Sequence, residues 1–256
     1  MDSVQIIILA AGKGKRMESE LPKPLIPLLG KSMVGRVVEA ARFENISRKP
    51  ILVISPQGDP IRKEIGGKAN YVIQEEQLGT GHAVWIAKEA VPPNTEAVMI
   101  LYADHPLVRR DSLKKVIESH LTSRPAITMA TVEVSDWREW REGFYDFGRI
   151  IRNKETGKLL KIVERKDASP EELEIKELNP SYFCFDAKWL WKNLPKIKNE
   201  NAQKEYYLTE LIKIASEEKA EINTIPIDPI EALGANTKSQ FFMLENLYKA
   251  HFNSSI

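Results

Sequence analysis

A short apolar run near the start of the chain, Val4–Leu9, most restricts how the chain can fold. Its uncharged and mostly β-branched residues are typical of a strand that is buried on both faces inside a parallel sheet. The run is followed by AAGKGKR, residues 10–16, which places two glycines and three cations in one turn. Glycines allow backbone N–H groups to approach a ligand closely, and the cations add positive charge. The combination predicts a phosphate-binding loop at the end of the first strand.

The spacing of the glycines excludes two common phosphate-binding motifs. A dinucleotide-binding fingerprint requires a third glycine where this chain has Met17, and an acidic residue where it has Ser55 and Pro56. A Walker P-loop ending at Gly30–Ser32 requires an earlier glycine where the chain has Leu25. The remaining alternative to a phosphate site is a solvated loop that binds nothing.

Strand and helix patterns alternate along the first third of the chain. Ser32 can cap a helix over Met33–Phe43, whose apolar residues recur at helical spacing. Strands are predicted over Pro50–Ile54 and Ala69–Ile73, with a helix over Asp59–Ile65 between them. The alternation predicts an α/β fold with a doubly wound, mostly parallel, Rossmann-like sheet. Further helices are predicted over residues 80–90, 111–121, 208–218 and 238–251, strands over 96–102, 126–134, 177–185 and 222–227, and a hairpin over 147–164.

The composition and the net charge suit a cytoplasmic protein without a nucleic-acid partner. The 37 basic and 36 acidic residues give a net charge of +1, which does not favour a nucleic-acid partner. The single cysteine, Cys184, excludes an internal disulfide and suits a reducing cytosol. Apolar runs fall short of the roughly 20 residues that span a bilayer, and the first run is too short for a signal peptide. We expect one domain over residues 1–256, as a monomer or small homo-oligomer without a membrane partner.

A second glycine-rich segment, Gln74–Ala90, follows the third predicted strand. Gly79, Thr80 and Gly81 open a helix, and small residues there let a flat ring pack on the backbone. The Gln74 amide can both donate and accept, so it can pair with a pyrimidine edge. Because an amide can be flipped, Gln74 alone does not distinguish uracil from cytosine. A capped helix without a ligand is the alternative, and His82 is predicted to pack or cap.

Asp104 comes directly after the strand predicted over residues 96–102. The carboxyl ends of such strands face the ligand crevice, and a hard carboxylate there suits Mg²⁺. The alternative role for Asp104 is the N-cap of the next helix, but Asp111 is better placed for it. The four histidines do not have metal-ligand spacing.

Several segments together resemble the sugar-nucleotide pyrophosphorylases, a family of nucleotidyltransferases. The resemblance is strongest to the uridyltransferase half of bacterial bifunctional N-acetylglucosamine-1-phosphate uridyltransferases. Each motif alone is weak evidence. The motifs occur in the same order as in the family along most of the chain, and this makes the resemblance specific. The segments are LAAGKGKRM at 9–17, LPK at 21–23, QLGTGHA at 77–83, IVERKDAS at 162–169, NAQKEYYLTEL at 201–211 and GAN at 234–236.

The resemblance implies Mg²⁺-dependent transfer of UMP from UTP to N-acetylglucosamine 1-phosphate, giving UDP-N-acetylglucosamine and pyrophosphate. It also implies a sheet of the nucleotide-diphospho-sugar transferase type. The catalytic residues implied are Arg16, Lys23 and Asp104, with Asp104 and Asn236 as ligands of Mg²⁺. The nucleotide-binding residues implied are Leu9, Ala10, Ala11, Gly12, Lys23, Gln74, Gly79, Thr80, Tyr102, Ala103 and Asp104. The sugar-binding residues implied are Gly148, Glu164, Asn179, Tyr207 and Thr209.

The chain departs from the family pattern in three places and contains no hexapeptide repeats of an acetyltransferase β-helix. Ala103 replaces a glycine before Asp104, and Pro180 and Ser181 replace a small residue and a glycine after Asn179, which leaves the sugar open. The segment Ser135–Asp146 is longer than expected and is predicted to be a packed flap, with a lid or a dimer contact as alternatives. Another sugar 1-phosphate, another nucleotide such as CTP, or a non-catalytic sugar-nucleotide sensor remain alternative functions.

Overall fold

A computed structural model describes residues 3–12, 21–44, 46–47, 49–235 and 237–252. The described strands are β1 Val4–Ala10, β2 Pro27–Leu28, β3 Lys31–Ser32, β4 Ile51–Ile54, β5 Asn70–Ile73, β6 Ala97–Tyr102, β7 Ile127–Glu133, β8 Gly148–Arg152, β9 Leu159–Val163, β10 Glu177–Asn179, β11 Phe183–Asp186 and β12 Ile222–Pro226. The described helices are α1 Met33–Ala40, α2 Asp59–Ile65, α3 Thr80–Ile86, α4 Arg110–Ser123, α5 Pro170–Leu173, α6 Ala187–Asn193, α7 Glu210–Glu217 and α8 Lys238–Phe252.

Ten of these strands form one mixed sheet in the order β5-β4-β1-β6-β11-β7-β10-β8-β9, with β12 beside β7. Strands β1, β4, β5 and β6 pair in parallel, and the pairings place β7, β8 and β12 in the same direction. Strands β9, β10 and β11 run in the opposite direction. The predicted α/β fold with a mostly parallel sheet is confirmed. The chain order reverses between β1 and β6, and ligands bind at such a switch point beyond the carboxyl ends of the strands.

The apolar residues of β1 pack on both faces of the sheet, as expected of an internal strand. Ile6 and Ile8 face a cluster that includes α1 and α4, whereas Ile7 faces a cluster with α3, α6 and α7. All three isoleucines are fully buried. Packing on both faces of the sheet therefore fixes the position of the carboxyl end of β1.

The start of α1 is as predicted. Ser32 caps this helix, because its Oγ accepts from the Gly35 N–H at 3.1 Å.

A third apolar cluster joins the Ser135–Asp146 segment to α8 beyond the end of β7. Phe144 is fully buried in it, and Trp137 and Trp140 pack against it from the surface. Residues 139–146 form a 3-10 helix. The prediction of a packed flap is confirmed.

Two local predictions are wrong. The single strand predicted over residues 177–185 is divided into β10 and β11, because Pro180 lacks an N–H and Ser181 adopts a φ of 63°. Asp111 is not the N-cap of α4, which begins at Arg110. The N-cap residue is Arg109, which makes no side-chain cap hydrogen bond; the Glu231 carboxylate contacts this end of the helix, accepting from the Arg109 N–H at 3.0 Å and from the Ser112 hydroxyl at 2.8 Å.

Helix lengths also bear on membrane association. Within the described residues, no helix combines the length and the apolar character that crossing a membrane requires.

Candidate active site

A cavity of about 700 Å³ opens at the carboxyl ends of β1 and β6. This volume is within the range of small-molecule sites. The eleven residues predicted to bind the nucleotide all line it, together with Glu164 and Tyr207 from the predicted sugar set. The cavity is also lined by Pro24, Gln77, Ala83, Asp146, Arg165, Lys166, Gln203 and Glu205.

The floor of the cavity is the carboxyl end of β1 and the turn after it. The Ala103 N–H donates to the Leu9 carbonyl at 3.0 Å, which joins the ends of β6 and β1. Ala10 and Ala11 are almost fully buried. A Cβ at Gly12 would meet no described atom within 4 Å, so the cavity reaches its backbone directly. Arg16 lies outside the described residues, as do the neighbouring cations Lys13 and Lys15.

Lys23 and Asp104 form an ion pair at one side of this floor. The Lys23 Nζ lies 2.5 Å from the Asp104 Oδ2, and the two side chains are 10% and 32% exposed. Lys23 begins a 3-10 helix after Pro22, whose fixed backbone sets the direction of the chain there. The structure thus brings together two of the three predicted catalytic residues.

The environment of Asp104 keeps its carboxylate ionised. Burial acts to raise its pKa, but the charge of Lys23, with a smaller contribution from His105, lowers the pKa of Asp104 to about 2. Burial lowers the pKa of His105, which stacks between the rings of Tyr102 and Phe147. Asp104 therefore presents negative charge to the cavity at any pH near neutrality.

Asp104 fits the role of a magnesium ligand. Among the described residues, no three His, Cys, Asp or Glu side chains cluster as a complete metal site. Mg²⁺ commonly takes one or two carboxylates and completes its coordination with water and substrate phosphates, so the single ionised carboxylate of Asp104 fits such a site. Gly234 packs against the Asp104 backbone, since a Cβ there would lie 2.6 Å from the Asp104 carbonyl oxygen. Asn236, the other predicted ligand, lies outside the described residues.

The opposite wall is formed by the start of α3. Gly79 has a φ of 116°, and a Cβ there would lie 2.7 Å from the backbone N and O of Tyr206. Only glycine accommodates both this conformation and this contact. The Gly81 N–H donates to the Tyr206 carbonyl at 2.7 Å, and the Leu208 N–H donates to the Thr80 Oγ1 at 2.9 Å. Residues 206–208 therefore support the predicted base-binding wall from behind.

Gln74 lies at the end of β5 and is only 3% exposed. Its Nε2 lies 3.2 Å from the Gly79 carbonyl oxygen and 3.0 Å from the His82 Nδ1. His82 was predicted either to pack or to cap a helix. It packs, because its ring contacts the Gln74 side chain in the cavity wall. Gln74 is thus held on two sides within the wall.

A second group of predicted residues lies around Glu164, at the other end of the cavity. The Thr209 hydroxyl donates to the Glu164 Oε1 at 3.1 Å, and a Cβ at Gly148 would lie 3.5 Å from the Glu164 carboxylate oxygens. Burial raises the pKa of Glu164, and burial raises the pKa of Tyr207 to about 12. Thr209 and Gly148 thus contact Glu164 from behind rather than lining the cavity.

Asn179, the remaining predicted sugar residue, does not line the cavity. Its Nδ2 donates to the Ser181 Oγ at 3.2 Å, and its Oδ1 accepts from the Ser181 N–H at 2.8 Å. The side chain is 3% exposed and is used to close the turn between β10 and β11.

Sequence reasoning did not single out several residues of the rim. Arg165 pairs with Asp146 of the flap, and Lys166 contacts Gln203 of the following loop. Both cations lie in a charge run that predicts only a solvated loop. The available signal was their position inside the segment IVERKDAS, directly after Glu164.

The fold and the cavity are typical of an α/β protein that binds its ligand at the topological switch point of the sheet. The chain belongs to the MobA-like NTP transferase family, whose domain model matches residues 6–204, and it is a nucleotidyltransferase. The resemblance to nucleotidyltransferases found from the sequence is confirmed.

Individual proteins resemble the chain over nearly its whole length. It is 41% identical to the bifunctional protein GlmU of Geobacter metallireducens over 94% of this chain and 49% of that protein. It is 39% identical to the bifunctional protein GlmU of Desulfotalea psychrophila over 98% of this chain and 72% of that protein. The chain thus spans about half the length of the first relative.

A solved structure resembles the fold. The crystal structure of UDP-glucose pyrophosphorylase complexed with UDP-glucose aligns with a TM-score of 0.73 and 16% identity, covering 98% of this chain and 99% of that one.

Proposed function

We propose that the chain transfers UMP from UTP to N-acetylglucosamine 1-phosphate, with release of pyrophosphate. The observation that carries the proposal is the cavity itself, which is lined by all eleven predicted nucleotide residues, among them the ionised Asp104 and its partner Lys23. The resemblance of the binding segments to uridyltransferases, and the similarity to GlmU proteins, support UTP as the donor.

The reaction needs positioning and charge neutralisation more than covalent chemistry. A phosphate oxygen of the sugar 1-phosphate forms a bond to the α-phosphorus of UTP. The bond between that phosphorus and the bridging oxygen breaks, and pyrophosphate leaves with the electron pair. A general base is unnecessary because the attacking phosphate is already ionised.

The residues at the floor take the electrostatic roles. Lys23 binds the triphosphate, and the N–H groups after β1 approach its oxygens where Gly12 leaves the backbone open. Asp104 would hold Mg²⁺, together with Asn236. When bound, the ion supplies charge neutralisation on the phosphate oxygens.

The acceptor sugar would lie towards Glu164 and Tyr207. Glu164 is oriented by Thr209, so it can accept from a sugar hydroxyl, and the protonated Tyr207 can donate. A different sugar is the second candidate, favoured by Ser181, which engages the amide of Asn179. We keep the N-acetylated sugar because Glu164, Asn179, Tyr207 and Thr209 match the family segments.

The test is pyrophosphate release by the full chain with each of the four NTPs and a panel of sugar 1-phosphates. We expect turnover with UTP and N-acetylglucosamine 1-phosphate, and loss of turnover with EDTA. A preference for another sugar would change the acceptor assignment alone. Absence of turnover with every pair would favour a non-catalytic sensor.

The role of Asp104 has its own test within this assay. Asp104→Asn should raise the Mg²⁺ concentration that gives half of the maximal rate, because the amide is neutral. Asp228→Asn is a suitable control, since Asp228 is an acidic residue outside the cavity lining. An unchanged Mg²⁺ requirement in Asp104→Asn would refute the assignment.

A further inference from the structure

The orientation of the Gln74 amide follows from the chemistry of its neighbours. The Gly79 carbonyl oxygen only accepts hydrogen bonds, so the amide atom 3.2 Å from it must be the nitrogen, Nε2. The second Nε2–H points to the His82 Nδ1 at 3.0 Å, which must then be an unprotonated acceptor. Both amide protons are used, and the carbonyl oxygen Oε1 has no hydrogen-bond partner among the described residues.

This orientation has a consequence for the base. Uracil carries an N–H at position 3, which can donate to a carbonyl oxygen. Cytosine carries a bare nitrogen there, which would meet the lone pairs of Oε1. Turned by half a rotation, the same amide would present Nε2 and would favour cytosine instead. The direction in which the amide faces therefore decides which pyrimidine it selects.

The Gly79 carbonyl makes the two directions of the Gln74 amide unequal, and His82 is the side chain that adds to this difference. A turned amide would set Oε1 against the Gly79 carbonyl oxygen, and His82 would have to move its ring proton from Nε2 to Nδ1 in order to donate to Oε1. Without His82, only the longer contact to Gly79, at 3.2 Å, would oppose the turn. The imidazole is half-buried on the first turn of α3, so its ring is held in place by the same helix that forms the wall.

We propose that His82 is a positioning residue that fixes the Gln74 amide with its oxygen towards the base, and thereby selects uracil over cytosine nucleotides. The inference rests on the proposed function, because it assumes that a pyrimidine lies against Gln74. His82 itself need not touch the nucleotide. This role is distinct from catalysis. Substitution of His82 should therefore change which nucleotide is preferred and leave the phosphate-binding groups in place.

The experiment compares UDP and CDP binding to the full chain by isothermal titration calorimetry. His82→Phe keeps a ring but removes the acceptor, whereas His82→Asn keeps an acceptor near the position of Nδ1. We expect the ratio of the two Kd values to fall by about tenfold in His82→Phe, the equivalent of one hydrogen bond, and to be largely restored in His82→Asn. An unchanged ratio in a folded His82→Phe variant would overturn the inference.

A second measurement does not depend on any variant. Long-range ¹H–¹⁵N correlation spectra of the wild-type chain report which ring nitrogen of His82 carries the proton. We expect the proton on Nε2, with Nδ1 as the acceptor. A proton on Nδ1 would overturn the inference even if His82→Phe did not fold.

The wild-type results separate this inference from the proposed function. Selective binding of UDP without turnover would overturn the proposed enzymatic function and leave the role of His82 supported by the variants. Equal binding of UDP and CDP by the wild-type chain would overturn the role of His82, whatever the turnover.

Discussion

The two ends of the cavity are built in different ways. The end predicted to bind the nucleotide, here called the nucleotide end, consists largely of backbone at the ends of β1 and β6 and at the start of α3, and all eleven residues predicted to bind the nucleotide line the cavity. At the end predicted to bind the sugar, here called the sugar end, Glu164 and Tyr207 line the cavity, whereas Gly148, Asn179 and Thr209 do not. Gly148 and Thr209 contact Glu164 instead. Parallel pairing fixes the position of strand ends, because each end is bonded to its neighbours. The sugar end is instead assembled from a hairpin, a flap and loops, whose positions depend on side-chain contacts.

This difference suggests where changes should be most costly. At the nucleotide end, charges would act directly on the reacting phosphates of the proposed reaction, and the backbone is closely packed. At the sugar end, single polar contacts adjust affinity. We therefore expect the effects of substitutions on activity and stability to decrease from the floor of the cavity to the turn at Ser181.

The largest effect is expected at Lys23. Lys23→Ala removes a cation aimed at the triphosphate, and loss of one such group costs on the order of a hundredfold in rate. The loss should appear mainly in kcat, measured by pyrophosphate release with UTP, because the contact strengthens as charge develops. Lys31→Ala is the matched control, since Lys31 pairs with Glu39 and does not line the cavity. An unchanged kcat in Lys23→Ala would exclude Lys23 from the transition state.

Gly79→Ala tests whether the backbone end is as rigid as its packing implies. The added Cβ would meet Tyr206 at 2.7 Å, and the φ of 116° suits only glycine. We expect the free energy of unfolding to fall by about 3 kcal/mol, with loss of UDP binding. Gly67→Ala is the control, because a Cβ there meets no described atom within 4 Å. Urea unfolding of both variants is the measurement, and equal stability would contradict the close contact.

The predictions from sequence follow the same division between the two ends. Gly79 and Asp104 could be found because a helix start and a strand end place them, and both signals are local. The contacts Asp146–Arg165 and Thr209–Glu164 join segments far apart in the chain, so no local pattern specifies them. The contact between Glu231 and the start of α4 was missed for the same reason, as Glu231 lies more than a hundred residues away.

The break between β10 and β11 could be predicted only in part. Pro180 signals an interruption, but the φ of 63° at Ser181 depends on the Asn179 side chain that holds the turn. Likewise, Gln74 could be identified as a base contact, while the direction of its amide required the position of His82.

Glu164→Gln should have an intermediate effect at the sugar end. A neutral amide accepts a weaker hydrogen bond than a carboxylate, so KM for the sugar 1-phosphate should rise by about tenfold. Glu155→Gln, at the exposed turn of the same β8–β9 hairpin, is the control. An unchanged KM would mean that Glu164 does not contact the sugar.

The same variant makes a prediction about stability and pH. Burial raises the pKa of Glu164, so the folded state binds this proton more tightly than the unfolded state. The folded protein is therefore penalised above the raised pKa, and the penalty is relieved as the pH falls through it. Glu164→Gln lacks the penalty, so its Tm should exceed that of the wild type at neutral pH, and the difference should shrink on acidification.

The smallest effect is expected at Ser181, where the sugar end departs from the family pattern. Its hydroxyl accepts from the Asn179 Nδ2 at 3.2 Å, so it competes for an amide that a sugar substituent could use. Ser181→Gly removes that hydroxyl and also relieves the positive φ of 63°, which glycine adopts freely. The released amide donor should favour an N-acetylated sugar, whose carbonyl can accept, by a few-fold, since one hydrogen bond contributes about 1 kcal/mol. The measurement is kcat/KM for N-acetylglucosamine, N-acetylgalactosamine and glucose 1-phosphates in both proteins. Constant ratios would mean that Asn179 serves the turn alone, and the sugar would then be selected by Glu164 and Tyr207.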